Sequence, residues 1–274
     1  IRLSLVGSEM CIRDRSCGQI ALKQLGIISE VYYASEVDKH AIKQTQLNFP
    51  NTIQLGDVTQ VDVSQLEPID LLIGGSPCQS FSFAGKRVGM STIDKEEIYT
   101  LNRYLELKEE GFQFEGESYL FWEYMRILTD IRKYNPNVLF LLENVEMGKK
   151  WERVLSEAIG VYGVHINSAL VSAQNRRRIY WTNIQTRRDG LFGELHSDIP
   201  QPVDKGILLK DILEDEVDDK FFLSDKMVSC LASRKETETF SPCKFEPFEF
   251  PYEVKCRTIN QRVHKMGDAD NYVK

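Results

Sequence analysis

With 274 residues, 42% of them hydrophobic and 27% charged, the chain is long enough for one large α/β domain or one domain with a small appendage, and its composition excludes disordered and collagen-like classes. Basic residues number 34 against 41 acidic, a net charge of −7, which excludes a protein that coats nucleic acid nonspecifically and leaves only a local basic site for any such contact. No apolar run approaches the 18 residues that span a bilayer, so the expectation is a cytoplasmic protein with no membrane partner. The six cysteines, at 11, 17, 78, 230, 243 and 256, form no C-x-x-C pair and meet only four histidines. Neither a disulfide framework nor a metal site is expected, and a reducing compartment fits best.

In chain order, apolar residues at Ile20, Leu22 and Leu25 predict a helix stopped at Gly26. Val31 to Ala34 reads as a strand ending at Ser35-Glu36. Lys39 to Asn48 reads as a helix closed by Pro50. Thr52 to Leu55 reads as a strand ending at Gly56-Asp57, and Ile69 to Ile73 as a buried strand ending at Gly74-Gly75. Alternation of this kind predicts strand-helix-strand units around a mostly parallel sheet. The polar segment from Ser82 to Ser118 is too long for an ordinary connection and is expected to be a functional loop with an insertion. Tyr119 to Tyr134 then reads as a helix, Val138 to Leu142 as a central strand ending abruptly at Glu143-Asn144, Lys150 to Ile159 as a helix, and Gly163 to Val171 and Arg178 to Ile184 as strands. After about residue 190 the periodicity fades. The expected organisation is a domain over residues 1–190 and an irregular second region over 191–274. Charge divides as well: Arg176, Arg177, Arg178, Arg187 and Arg188 stand together without acids, whereas residues 194–219 carry nine acids against Lys205 and Lys210.

Ligands of open parallel sheets collect beyond the carboxyl ends of the strands, so the polar residues just after each apolar run come forward. Glu36 lies 18 residues after Gly18, near the spacing at which an acid meets ribose hydroxyls; a solvated acid at a strand end is an equal alternative. Asp57 has the same two readings. In Gly74-Gly75-Ser76-Pro77-Cys78-Gln79, a cysteine follows a stiff turn at the sheet edge, either as an exposed nucleophile or as an incidental thiol. Glu143, directly after the most apolar strand, is a carboxyl group that partial desolvation equips to give up a proton near neutrality.

Together, Gly75-Ser76-Pro77-Cys78-Gln79 with Phe81-Ser82-x-Ala84-Gly85, then Glu143-Asn144-Val145, then Gln174-x-Arg176-x-Arg178, closely resemble the C5-cytosine DNA methyltransferases. The similarity is to bacterial and phage enzymes and, more distantly, to the animal de novo enzymes, and it covers about Ser16 to Asn183. It implies a Rossmann-like S-adenosylmethionine-dependent methyltransferase sheet followed by a smaller target-recognition region, acting on double-stranded DNA in a bacterial or phage-infected cell, with a cognate restriction endonuclease as a further partner. Carried over position by position, Cys78 attacks C6 of a flipped cytosine, Glu143 protonates N3, Arg178 holds O2 and Arg176 supports the loop. Gln79, Ser82, Gln174, Arg176 and Arg178 face nucleic acid. Ser16, Cys17, Gly18, Glu36, Val37, Asp57, Val58, Pro77 and Leu120 form the S-adenosyl-L-methionine site.

The chain departs from this pattern at both ends. Ile12, Arg13 and Asp14 stand where the family has Phe, Asp and Gly, and only Ser16-Cys17-Gly18 survives of the first motif. Ile1 to Arg15 fits no family strand and resembles translated adapter sequence, so it is expected to be non-native and the chain impaired as it stands. The last residues, Asn271 to Lys274, precede two final family motifs, so a fragment is expected. Two other readings stay open: a non-catalytic DNA-binding or regulatory homologue, favoured by the broken first motif, and a tRNA cytosine-5 methyltransferase of the same architecture.

Overall fold

The computed structural model describes residues 16–77, 90–191, 193–216, 218, 224 and 255–256, together with the backbone of 2–6. Its strands are β1 (Arg2–Val6), β2 (Val31–Ser35), β3 (Ile53–Gln54), β4 (Leu71–Gly75), β5 (Ser91–Thr92), β6 (Phe114–Glu115), β7 (Leu139–Val145), β8 (Val164–Asn167), β9 (Arg177–Thr182), β10 (Thr186–Asp189) and β11 (Glu194–Ser197). The helices are α1 (Cys17–Gln24), α2 (Lys39–Asn48), α3 (Leu101–Glu109), α4 (Leu120–Tyr134) and α5 (Lys149–Ile159). Seven strands form one sheet in the order β3-β2-β1-β4-β7-β9-β8. Neighbours from β3 to β7 run parallel, and β9 turns back antiparallel against β7.

The chain divides into two units, one of residues 1–166 with 178–200 and one of residues 167–177 with 201–274. This division differs from a boundary near residue 190. The hairpin β10–β11 closes through ladder pairs Thr186 to Ser197, and Thr182 N donates to Ser197 Oγ at 2.9 Å, so these residues stay with the sheet.

Three further differences have local causes. β1, in a stretch expected to be non-native and to fit no strand of the family, pairs in parallel with both β2 and β4. A slot between two parallel strands asks mainly for a free backbone ladder and β-compatible residues, which Leu3, Leu5 and Val6 supply. The segment expected to be a long loop contains α3, whose Thr100 accepts the Arg103 amide proton as N-cap, and the small β5–β6 pair. The strand expected to stop before Glu143 continues through Val145, because Glu143, Asn144 and Val145 all pair with β9.

Two buried apolar clusters hold the sheet unit, a small one of Leu22, Tyr32, Ala34 and Leu71 and a large one around α4. Along α4, Phe121, Trp122, Met125, Ile127, Leu128 and Ile131 recur at helical spacing and are all buried, and they pack with Phe140 and Leu142 of β7 and Ile179 and Trp181 of β9. Trp181 keeps its indole N–H satisfied by donating to Ser156 Oγ of α5 at 2.9 Å. Gly163, before β8, is required by close approach, since a Cβ there would lie 2.5 Å from Ile179 and 2.9 Å from Trp181.

Candidate active site

The parallel order puts the carboxyl ends of β2, β3, β4 and β7 on one edge of the sheet, and Glu36, Asp57 and Glu143 sit there. Glu143 is opposite Gly75 of β4 and Tyr180 of β9. Its carboxylate lies close over Gly75, where a Cβ would be 3.3 Å from Oε2. Arg178, on β9 opposite Val145, places its Nε 2.7 Å from Glu143 Oε1, with its side chain 10% exposed. Glu143 thus meets a guanidinium as well as the apolar strand that carries it.

Asn144, to which sequence reading gave no role, is fully buried. Its Nδ2 donates to Ser76 Oγ at 2.7 Å and to Ser76 O at 3.4 Å, while its Oδ1 accepts from Val145 N at 2.8 Å. From the other side Ser118 Oγ donates to Pro77 O at 3.1 Å. The chain is thus pinned by hydrogen bonds from two buried side chains, Asn144 and Ser118, just before Cys78. Cys78, Gln79 and Ser82 lie outside the described residues. The visible signal for Asn144 was its place directly after the carboxylate in an apolar strand, where a buried amide must find partners.

At the end of β2, Glu36 is 5% exposed; its Oε1 accepts from Val37 N at 2.8 Å and Asp38 N at 2.9 Å. Its Oε2 is buried with no hydrogen-bond partner among the described residues. An unused buried acceptor at a strand end suits a ligand hydroxyl. Asp57, exposed at the end of β3, caps the turn that follows by accepting from Thr59 N at 2.8 Å. Val58 and Pro77 are buried, Val37 is exposed, and Leu120 opens α4 half-buried. Ser16 is buried in the left-handed backbone region (φ 67°) and hydrogen-bonds Thr45; exposed Cys17 and half-buried Gly18 begin α1.

Gln174 and Arg176 belong to the second unit. There Arg176 N donates to Asn167 Oδ1 at 3.0 Å, Ser168 N donates to Arg176 O, and Asn175 N donates to Cys256 O. Lys255 Nζ reaches the carbonyls of Ala169, Ser172 and Ile207 and the Asp204 carboxylate. Neither Asn167 nor Lys255 was singled out from sequence. Among the described residues no group of three metal-type ligands occurs, and no helix is long and apolar enough to cross a membrane.

A family model described as C-5 cytosine-specific DNA methylase matches residues 16–272. The chain belongs to that family. Among curated relatives, it is 30% identical over 207 residues to the type II methyltransferase M1.ScrFI of Lactococcus lactis subsp. cremoris, covering 71% of this chain and 45% of that one. It is 29% identical over 228 residues to the type II methyltransferase M.Bsp6I of Bacillus sp. strain RFL6, covering 77% and 62%. The chain thus spans about half the length of these methylases. Among solved structures, the S. pombe Dnmt2 methyltransferase superposes with a TM-score of 0.50 at 15% identity, covering 86% of this chain and 66% of that one, a likeness of fold. The α/β architecture expected from sequence is thereby that of a known methyltransferase.

Proposed function

We propose that this methylase chain transfers a methyl group to C5 of cytosine in double-stranded DNA, with the sheet unit carrying the reaction and the second unit beginning the target-recognition region. The observation that carries the reading is the Glu143–Arg178 pair held over Gly75, three residues before Cys78. N3 and O2 are adjacent on a cytosine ring, and a carboxyl beside a guanidinium suits that edge. In a stacked duplex C6 is shielded, so the target base must be flipped out to meet Cys78.

Cys78 as thiolate adds to C6, forming an S–C6 bond, while Glu143 gives its proton to N3. The ring electrons then reside in an enamine whose C5 is nucleophilic. Arg178 stabilises the carboxylate left behind and donates to O2. S-adenosyl-L-methionine, when bound, supplies an electrophilic methyl group on a sulfonium. After C5 carries the methyl group, loss of its proton to a base, return of the N3 proton to Glu143 and departure of the thiolate restore the C5–C6 double bond and the free cysteine.

The residues present fit that cofactor. Glu36 offers its unused buried oxygen to ribose hydroxyls, Asp57 an acceptor for the adenine amino group, and Val37, Val58, Pro77 and Leu120 apolar lining, with Ser16, Cys17 and Gly18 at the start of α1. Gln79, Ser82, Gln174 and Arg176 would contact the DNA. A restriction endonuclease of matching specificity is the partner implied by two relatives being type II methyltransferases.

The test is covalent trapping on duplex DNA containing 5-fluorocytosine, where the fluorine blocks the last step. The parent protein with cofactor should form an adduct stable to denaturation, and Cys78→Ser should form none while still binding DNA. Trapping by the serine variant at the parent's level would sink the assignment.

A further inference from the structure

Away from the strand-end chemistry, α4 carries a carboxylate that no step above uses. Glu123 is fully buried. From α3, the Tyr104 hydroxyl and Lys108 Nζ both donate to its Oε1, each at 2.5 Å. One turn along α4, Arg126 Nε donates to its Oε2 at 2.6 Å. Burial, reinforced by this carboxylate, pushes the Tyr104 phenol up, so it remains the donor.

Both cations continue to one place. Arg126 Nη1 donates to Val61 O at 2.9 Å and Nη2 to Val58 O at 3.1 Å, and Lys108 Nζ donates to Thr59 O at 3.3 Å. Three carbonyls of the short turn behind Asp57 are thus held by donors anchored on one buried acid. A tight turn leaves its carbonyls in need of partners, and apolar packing alone would fill the space without fixing their direction. Buried ion clusters seldom add net stability over an apolar core, so their use is in specifying geometry.

We propose that Glu123, Arg126 and Lys108 are positioning residues for purine selection: they set the Val58–Val61 backbone and, through it, the Asp57 carboxylate that meets the adenine amino group. This rests on the cofactor reading above. The purine class follows from that acceptor, since an exocyclic amino group donates to a carboxylate and a carbonyl in its place does not.

The experiment pairs Arg126→Lys with Lys108→Met in the full chain. Arg126→Lys keeps the charge beside Glu123 and loses the planar fork to two carbonyls; Lys108→Met removes the bonds to Thr59 O and Glu123 Oε1 and leaves the Arg126 fork in place. Calorimetry with S-adenosyl-L-homocysteine and its inosine counterpart, which carries a carbonyl for the amino group, should give a parent preference for the adenosine form. Arg126→Lys should reduce that preference about 10-fold and Lys108→Met by less. In the ligand-free protein, amide exchange over residues 58–66 should rise in both variants with β7 unchanged. A preserved preference and preserved protection in Arg126→Lys would overturn the proposal, as would equal weakening of both ligands with faster exchange throughout β4 and β7. Equal binding of the two ligands by the parent would instead refute the cofactor reading beneath it.

Discussion

The two units place their candidate residues by different means. In the sheet unit Glu143 and Arg178 lie on adjacent strands, locked by ladder pairs on both sides and by a core containing Trp122, Phe140 and Trp181. In the second unit, among the described residues, the segment bearing Gln174 and Arg176 forms only the isolated bridge from Gln174 to Cys256. It is held by the Asn167 side chain, by backbone bonds to Cys256 and by the Lys255 amine, with Leu209 and Cys256 as its own small buried cluster. On the proposed reading, chemistry that tolerates little displacement would sit on rigid strands, while contacts with a partner would sit on a segment fastened by a few polar bonds.

That contrast fixes the largest expected effects in the sheet unit. Glu143→Gln preserves the shape beside Arg178 and removes the transferable proton, so the single-turnover rate should fall by roughly 100-fold or more with DNA affinity near the parent's. An unchanged rate would remove Glu143 from its role. Asn144→Ala should rank next. It leaves Ser76 without its buried partner, costs about 1–3 kcal/mol in stability, and loosens the residues just before Cys78. The methylation rate at saturating DNA should drop more than about 10-fold, since small misplacements of reacting groups are costly. A stable variant with the parent's rate would mean that pinning Ser76 does not matter to the cysteine.

In the second unit the sharper probe is Lys255→Met. Removing the amine frees the carbonyls of Ala169, Ser172 and Ile207 without touching the sheet core. Amide exchange across residues 168–176 should rise and DNA affinity should fall about 10-fold, while rate at saturating DNA and exchange in β7 stay near the parent's. If β7 exchange rose equally, the two units would not be separable in the way their fastening suggests.

Legibility from sequence follows the same line. Val138 to Leu142 could be read as a central strand because a strand covered on both faces is a continuous apolar run, and Glu36, Asp57 and Glu143 were found because polar residues break such runs at a strand's end. The end of β7 was misjudged because Glu143 and Asn144 look like a stop until β9 supplies their ladder partners. The helix α3 was hidden by its charges: of its nine residues only Tyr104 and Leu107 are buried. Glu123 and Lys108 were invisible for the opposite reason. A buried acid and a lysine look like surface residues until a distant turn brings carbonyls to them. Lys255 lies 79 positions after Arg176, and no local pattern links a lysine to carbonyls so far back in the chain.

The smallest expected effect is a pH dependence in the sheet unit, at His165. His165 of β8 meets Glu152 of α5 at 2.9 Å through Nε2, and Glu146, just after β7, at 3.5 Å through Nδ1. Burial alone would lower its pKa, but the hydrogen bonds and charges of Glu152 and Glu146 together raise it above the ordinary 6.5. The folded state therefore binds the proton more tightly than the unfolded chain. Its stabilising share is complete below about pH 6.5 and is lost as pH rises through the folded value. With the imidazole half-exposed, solvent screening keeps the gain under about 1 kcal/mol, a few degrees of melting temperature at most. Melting followed from pH 5.5 to 8.5 at low salt should show the parent losing this increment relative to His165→Gln, with the difference shrinking at high salt. A difference that grew with pH would mean that the imidazole is held neutral, reversing the sign of the contact.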